Sequence, residues 1–237
     1  MGRVCQCPER DGAWIRPVVC GTVLASTDWA TIATFATAVG TLVLAVATFA
    51  AVSSANRAAR VAEAAYRANL RPVLVTSRLE DPAQKIRWGD DHWAMLPGSQ
   101  ADVELVDGNV YLALSLRNVG AGLAVPIGWY VHTADVRDDP PPEPDQFRLQ
   151  VRDLFIAGDD SGFWQAAIRD PGDPDYGELR KRVENTEPFG VDLIYGDQEG
   201  GQRTITRFQI VPVVREGQTY WFSSTVRHWN LDRPDPR

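Results

Sequence analysis

Cysteine stops at Cys20. All three cysteines (Cys5, Cys7 and Cys20) fall in the first 28 residues of a 237-residue chain. The rest of the chain forms no disulfides, which agrees with a reducing compartment. Cys5-x-Cys7 has no second pair and no nearby histidine, so it does not read as a zinc site. Three catalytic signatures are also missing: the P-loop pattern, H-E-x-x-H and G-x-S-x-G. Gly120-x-Gly122 follows a predicted strand, yet Val125 stands at the third glycine position and Pro126 blocks the helix a dinucleotide site needs. These glycines read as turn positions that need positive φ. No cofactor is implied.

Charge is missing over one long stretch. From Trp29 to Asn56 there is no Asp, Glu, Lys or Arg. The apolar part, residues 29–52, would make a helix of about 36 Å, enough to cross a hydrocarbon core of about 30 Å. Asp28 suits the N-cap, and Trp29 suits a lipid–water boundary. A cleaved signal peptide has a shorter apolar core, and the residues before Cys20 are not those of a lipoprotein signal. Eight Ala and five Thr among those 24 residues make the span only moderately hydrophobic, so a buried soluble helix is the competing reading. Arg57, Arg60, Arg67 and Arg71 follow the span, against Arg3, Arg10 and Arg16 before it, so the C-terminal part is expected in the cytoplasm. Residues 53–71 lack Gly and Pro until the residue before Pro72, and Glu63 can pair with Arg60 and Arg67. They are read as a juxtamembrane continuation of the helix. Ala36/Gly40 and Thr37/Thr41 are small pairs at helix-contact spacing, so self-association through the span and stalk is one expectation.

The formal charge of −7 divides unevenly: +3 over residues 1–72 and −10 over residues 73–237. A domain that acidic does not grip nucleic acid by bulk electrostatics, and no nucleic-acid partner is expected. Residues 72–229 read as short β runs separated by turns, with strands expected over 72–79, 110–117, 123–133, 149–156, 162–168, 191–195, 203–214 and 219–228. Hairpins are expected through Gly200-Gly201 and Glu216-Gly217. One helix, residues 176–183, follows Asp173-Pro174-Asp175 and is expected across an open end of the sheets. The fold class is therefore mainly β: an antiparallel β-sandwich, immunoglobulin-like by strand count and spacing, with a jelly roll or small barrel as the alternative. Residues 1–28 are read as an irregular tail or the product of an upstream start codon, and 230–237 as a C-terminal tail. Residues 138–145, acidic and proline-rich, read as an exposed loop.

Candidate chemistry is sparse. His92, His132 and His228 are too dispersed for a joint site. Arg227, His228, Trp229, Asp232 and Arg233 form a candidate recognition patch, because Arg and Trp are enriched at binding hot spots. The bland reading of the same residues is a surface histidine stacked on Trp229. Asp170, Asp173, Asp175 and Glu178 crowd one loop, but their spacing is not that of an EF-hand, and turn and capping duties explain them; no metal is expected. With Asp197, the three aspartates are the candidates if the domain is an enzyme. Trp93, Trp129, Trp164 and Trp221 are expected as core and rim aromatics.

Several segments carry a resemblance. They are Asp28-Trp29-Ala30-Thr31-Ile32, Ser54-Ala55-Asn56-Arg57-Ala58-Ala59-Arg60, Leu70-Arg71-Pro72-Val73-Leu74, Leu116-Arg117-Asn118-Val119-Gly120, Tyr195-Gly196-Asp197 and Arg227-His228-Trp229-Asn230-Leu231-Asp232-Arg233-Pro234. Together they resemble a set of uncharacterised actinobacterial single-pass membrane proteins, over most of the chain from about Thr27. Two Lys against 22 Arg agree with GC-rich coding. The resemblance implies architecture and a bacterial plasma membrane, and no activity. The function expected is a membrane-anchored β-sandwich that presents loops or a sheet edge to a protein or small-ligand partner; the bilayer itself is the partner of residues 29–52.

Overall fold

The computed structural model describes residues 29–133 and 139–235. The tail 1–28, with the expected Asp28 cap, lies outside them, as does Asp138 of the acidic loop. The chain divides into two compact units, residues 1–59 and 60–237.

Helix α1 runs without a break from Trp29 to Asn69, with no buried residue. It is long and apolar enough to cross a membrane. Its threonines are compatible with that environment because their hydroxyls bond back into the helix. Thr37 Oγ1 donates to the Ala33 carbonyl at 2.8 Å and Thr48 Oγ1 to Leu44 at 2.7 Å. Beyond the apolar part, Arg67 pairs with Glu63 at 2.7 Å, one of the two expected partners. The helix ends three residues before Pro72.

The second unit is mainly β, an antiparallel sandwich, as expected from the sequence. Its strands are β1 (Leu74–Thr76), β2 (Gln84–Arg87), β3 (Trp93–Leu96), β4 (Gln100–Val106), β5 (Asn109–Asn118), β6 (Val125–His132), β7 (Arg148–Leu149), β8 (Ser161–Ile168), β9 (Phe189–Gly196), β10 (Arg203–Arg215) and β11 (Gln218–Asn230). One layer sets β8, β5 and β4 side by side, with β1 continuing the β4 edge of β5. The other runs β7–β6–β9–β10–β11. The layers join at one corner, where β11 pairs β4 through Trp221↔Ala101 and Phe222↔Gln100. Helix α2 (Tyr176–Glu184) caps the end marked by the β4–β5 turn: Tyr176 Oη donates to the Gly108 carbonyl at 2.6 Å, and Tyr176 and Leu179 join the core.

Turn chemistry sets the hairpins. Asp107-Gly108 and Glu216-Gly217 each place two consecutive residues at positive φ (50° and 80°; 53° and 79°). That is the two-residue turn whose twist matches flanking strands. The main core lies between the layers. Val110, Leu112, Leu114 and Leu116 of β5 face Phe189, Val191, Leu193 and Tyr195 of β9, with Trp164, Phe208 and Trp221 filling the remainder. Each fully buried side chain of this size contributes roughly 2–3 kcal/mol.

Three expectations require correction. No strand was expected over residues 84–106, which contribute β2, β3 and β4. β4 does alternate Ala101, Val103 and Leu105 against Asp102 and Glu104, and it pairs β5 throughout. The strand expected over 149–156 is limited to β7 and an isolated bridge from Ile156 to Ala124. Gln150 turns aside there: its Oε1 accepts from Trp164 Nε1 (3.0 Å) and its Nε2 donates to the Gln165 carbonyl (3.1 Å). Finally, Gly120 and Gly122 are not at positive φ. They are small because the segment just after α1 crosses them. A Cβ on Gly122 would lie 1.7 Å from the Leu70 carbonyl oxygen, and one on Gly120 would lie 2.1 Å from that of Arg71. Buried Asn118 holds this crossing. It accepts from Val73 N (3.1 Å) and Gly120 N (3.0 Å), and donates to the carbonyls of Gly122 (2.6 Å) and Ile156 (3.1 Å).

Gly122→Ala is therefore expected to destabilise the full chain by about 2–3 kcal/mol in urea unfolding, whereas Gly89→Ala, with open space at its Cβ, shifts stability by less than about 0.5 kcal/mol.

Candidate functional site

The β2–β3 hairpin covers the outer face of β5. Ile86, Trp88 and Leu96 turn inward onto Tyr111 and Ala113. Strand periodicity then forces Lys85 and Arg87 outward. Arg87 is paired across the hairpin with Trp93, and Lys85 with Met95. Over the Trp93 ring, Lys85 Nζ stands 4.4 Å and the Arg87 guanidinium 5.2 Å from the centroid.

Between this hairpin, β8 and the segment from Arg148 to Arg152 lies a cavity of about 1110 Å³. Its floor is Trp88, Trp129, Phe163 and Gln165. Its walls carry five cations, Lys85, Arg87, Arg148, Arg152 and Arg169, and one carboxylate, Asp90. That is the reverse of the domain's −10 balance. Three of the cations are paired: Arg87 with Asp91, Arg169 with Asp90 (2.9 Å), and Arg148 with Asp173 (2.6 Å) and Asp175. Lys85 and Arg152 have no carboxylate partner among the described residues; Arg152 donates only to the Arg87 carbonyl, at 3.3 Å. The rim is apolar and open: Trp93 is 47% exposed, Leu149 76% and Val151 fully. Gln165 is 7% exposed, and its Oε1 has no hydrogen-bond partner among the described residues. The Tyr111 hydroxyl, donating at 2.6 Å, and then Arg169 hold the Asp90 carboxyl down at about 2. The acid on this wall therefore stays ionised and bound to its partners.

The C-terminal patch is only partly a patch. Arg227, His228 and Arg233 do come together, around a 200 Å³ cavity that also involves Arg71 and Asn230. Trp229 is buried, with the Arg207 guanidinium 4.9 Å and that of Arg227 5.4 Å from its ring. His228 is half-buried, and its Nδ1 lies 2.7 Å from Thr206 Oγ1. Asp232 is bound by the buried Arg71, which also donates to Thr204 Oγ1 and Asn230 Oδ1, each at 3.1 Å. Burial raises the Asp232 carboxyl, but the Arg71 hydrogen bond and charge outweigh it and leave a net fall. Much of this region thus fastens the segment after α1 to the ends of β10 and β11.

The aspartates do not converge. Asp173 and Asp175 grip Arg148, whose hydrogen bond is the main cause of the lowered Asp173 carboxyl. Asp170 accepts from Gly172 N, and Asp197 from Gly201 N, each at 2.8 Å, as turn residues do. Among the described residues no three His, Cys, Asp or Glu side chains cluster as metal ligands. Two constellations escaped the sequence reading. Arg207 and Asp192, both fully buried, are paired at 2.8 Å with His132 on the same carboxylate, and Arg207 also donates to the Asp139 carbonyl at 3.0 Å. Asp102 is the acid pushed upward, to about 6, by burial and then by Glu104, with His92 opposing. His92 Nε2 is 2.9 Å from Glu104 Oε2, close enough to pair though off the hydrogen-bonding angle. Asp102 lines none of the cavities described here.

Neither a protein-family model, nor a curated protein, nor a solved structure matches this chain.

Asp102 gives a pH dependence with a defined sign. Its folded pKa of about 6 lies above the ordinary 3.8, so the folded state holds the proton more tightly. Its contribution to stability is full at low pH and falls as pH rises through that interval. Asp102→Asn is expected to stabilise the chain by about 1–3 kcal/mol at pH 8 and by nothing measurable at pH 3.5, compared by urea unfolding at both pH values.

Proposed function

We propose that this protein is a membrane-anchored binding module: α1 spans the plasma membrane, and the sandwich recognises a partner in the cytoplasm through the groove between β2–β3, β8 and Arg148–Arg152. The observation that carries this reading is the groove itself, five cations and an exposed tryptophan gathered on an acidic domain. Surfaces of mixed Arg and aromatic character are where binding energy concentrates. The apolar length of α1 supports the anchor. The Arg-rich stretch from Arg57 to Arg71 supports a cytoplasmic domain, and the resemblance to actinobacterial single-pass proteins supports the plasma membrane. An enzyme built on Asp170, Asp173, Asp175 or Asp197 is disfavoured, because Asp173 and Asp175 are committed to Arg148 and the other two to turns.

Two measurements on the full chain test it. With Cys5, Cys7 and Cys20 replaced by Ser, a cysteine placed at Val151 should react with an impermeant maleimide only after the cells are lysed; labelling of intact cells would reject the orientation. A photo-crosslinking residue at Val151 should form adducts in membranes, while one at the exposed Val214, on the β10–β11 hairpin, should not. Equal or absent adducts at both positions would reject the groove as the recognition surface.

A further inference from the structure

The groove's chemistry restricts what it takes. Its walls offer positive charge beyond what the neighbouring acids neutralise, at Lys85 and Arg152. Its rim offers flat and branched apolar surface, at Trp93, Leu149 and Val151. Its floor offers an acceptor in search of a donor, the Oε1 of buried Gln165. At about 1110 Å³ and open to solvent, it is larger than the range of about 300–1,000 Å³ usual for a compact small molecule. An extended chain with carboxylates, apolar side chains and backbone N–H groups answers all four features. A single-stranded nucleic acid also carries negative charge, flat bases and N–H donors, but its continuous phosphate charge is opposed by the −10 balance of the surrounding domain.

We infer that the groove binds an extended acidic peptide segment of a partner protein, one that interleaves carboxylate and aromatic or other apolar side chains. This rests on the groove being the recognition surface proposed above. Carboxylates of the segment meet Lys85 and Arg152, while its apolar side chains lie against Trp93 and the Leu149–Val151 rim. A backbone N–H donates to Gln165 Oε1. Rim charges mainly set on-rate and salt dependence, whereas the aromatic contact sets residence time.

The test uses the full chain in nanodiscs of zwitterionic lipid, so that no bilayer charge competes. A dye-labelled eight-residue peptide alternating glutamate and tryptophan is titrated by fluorescence anisotropy, beside one alternating lysine and tryptophan. The glutamate peptide should bind, and the lysine peptide should bind at least ~10-fold more weakly. The exposed double variant Lys85→Glu/Arg152→Glu should weaken the glutamate peptide by ~10-fold or more, and Trp93→Ala by ~5-fold. Unchanged circular dichroism establishes that each variant is folded. Equal binding of both peptides, indifference to the double variant, or no binding overturns the inference. If the Val151 adducts form but the peptide does not bind, the ligand class is wrong and the binding module stands. If binding passes instead to a single-stranded oligonucleotide at the same residues, the peptide class is likewise rejected.

Discussion

Two strands in this domain must be buried on both faces, and much of the remaining structure serves that requirement. Residues 110–116 of β5 are each at most 4% exposed, and β9 is buried along its whole length. A two-layer sandwich buries only the faces that meet. The outward faces therefore need their own covers. For β5 the cover is the β2–β3 hairpin, closing on Tyr111 and Ala113. For β9 and β10 it is a group around Phe147, Trp229 and Leu231, closing on Ile194 and Ile205. The groove is the margin of the first cover. The hairpin is short, so the edge of β8 is left with a step that side chains line but do not fill.

The same requirement explains the buried charges. Asp192 points outward from β9, under the second cover, and an isolated carboxylate there would be far too costly. Arg207 and His132 pair with it, and Arg207 in turn holds the acidic loop at Asp139. Such a pair adds little net stability over apolar residues of similar size, but losing one member costs about 3–5 kcal/mol. It therefore fixes where the loop lies more than it strengthens the domain. Arg71 acts in the same way where the chain leaves α1, tying it to Thr204, three residues before Arg207 on β10, and to Asn230 and Asp232.

Strong local signals in the sequence were enough to read the helix, the two-residue turns and the alternating strands. The uncharged run from Trp29, the Val110–Leu112–Leu114–Leu116 alternation and the Glu216-Gly217 turn each correspond to an element of the structure. β4 was also readable by its alternation, although two acids on its outer face obscure it. β2 and β3 were not, because four-residue strands carry too little periodicity to stand out from a loop. The glycines at 120 and 122 were misread because close approach by a distant backbone leaves no local mark. The groove was illegible for a related reason. Its cations lie at positions 85, 87, 148, 152 and 169, and only the packing of three separate segments gathers them. The C-terminal patch is a contiguous cluster and therefore visible, yet contiguity did not reveal that Arg71 would bind its Asp232 or that Trp229 would be buried.

The fastening at Arg71 has a mechanical meaning. It joins the first residues after α1 to Asn230 and Asp232 near the other terminus. Tension entering along the chain from the helix is handed by this clasp to the ends of β10 and β11, at Thr204 and Asn230, and by the crossing over Gly120 and Gly122 to Asn118 at the end of β5. The load is therefore shared among three strand ends rather than drawn through β1 alone.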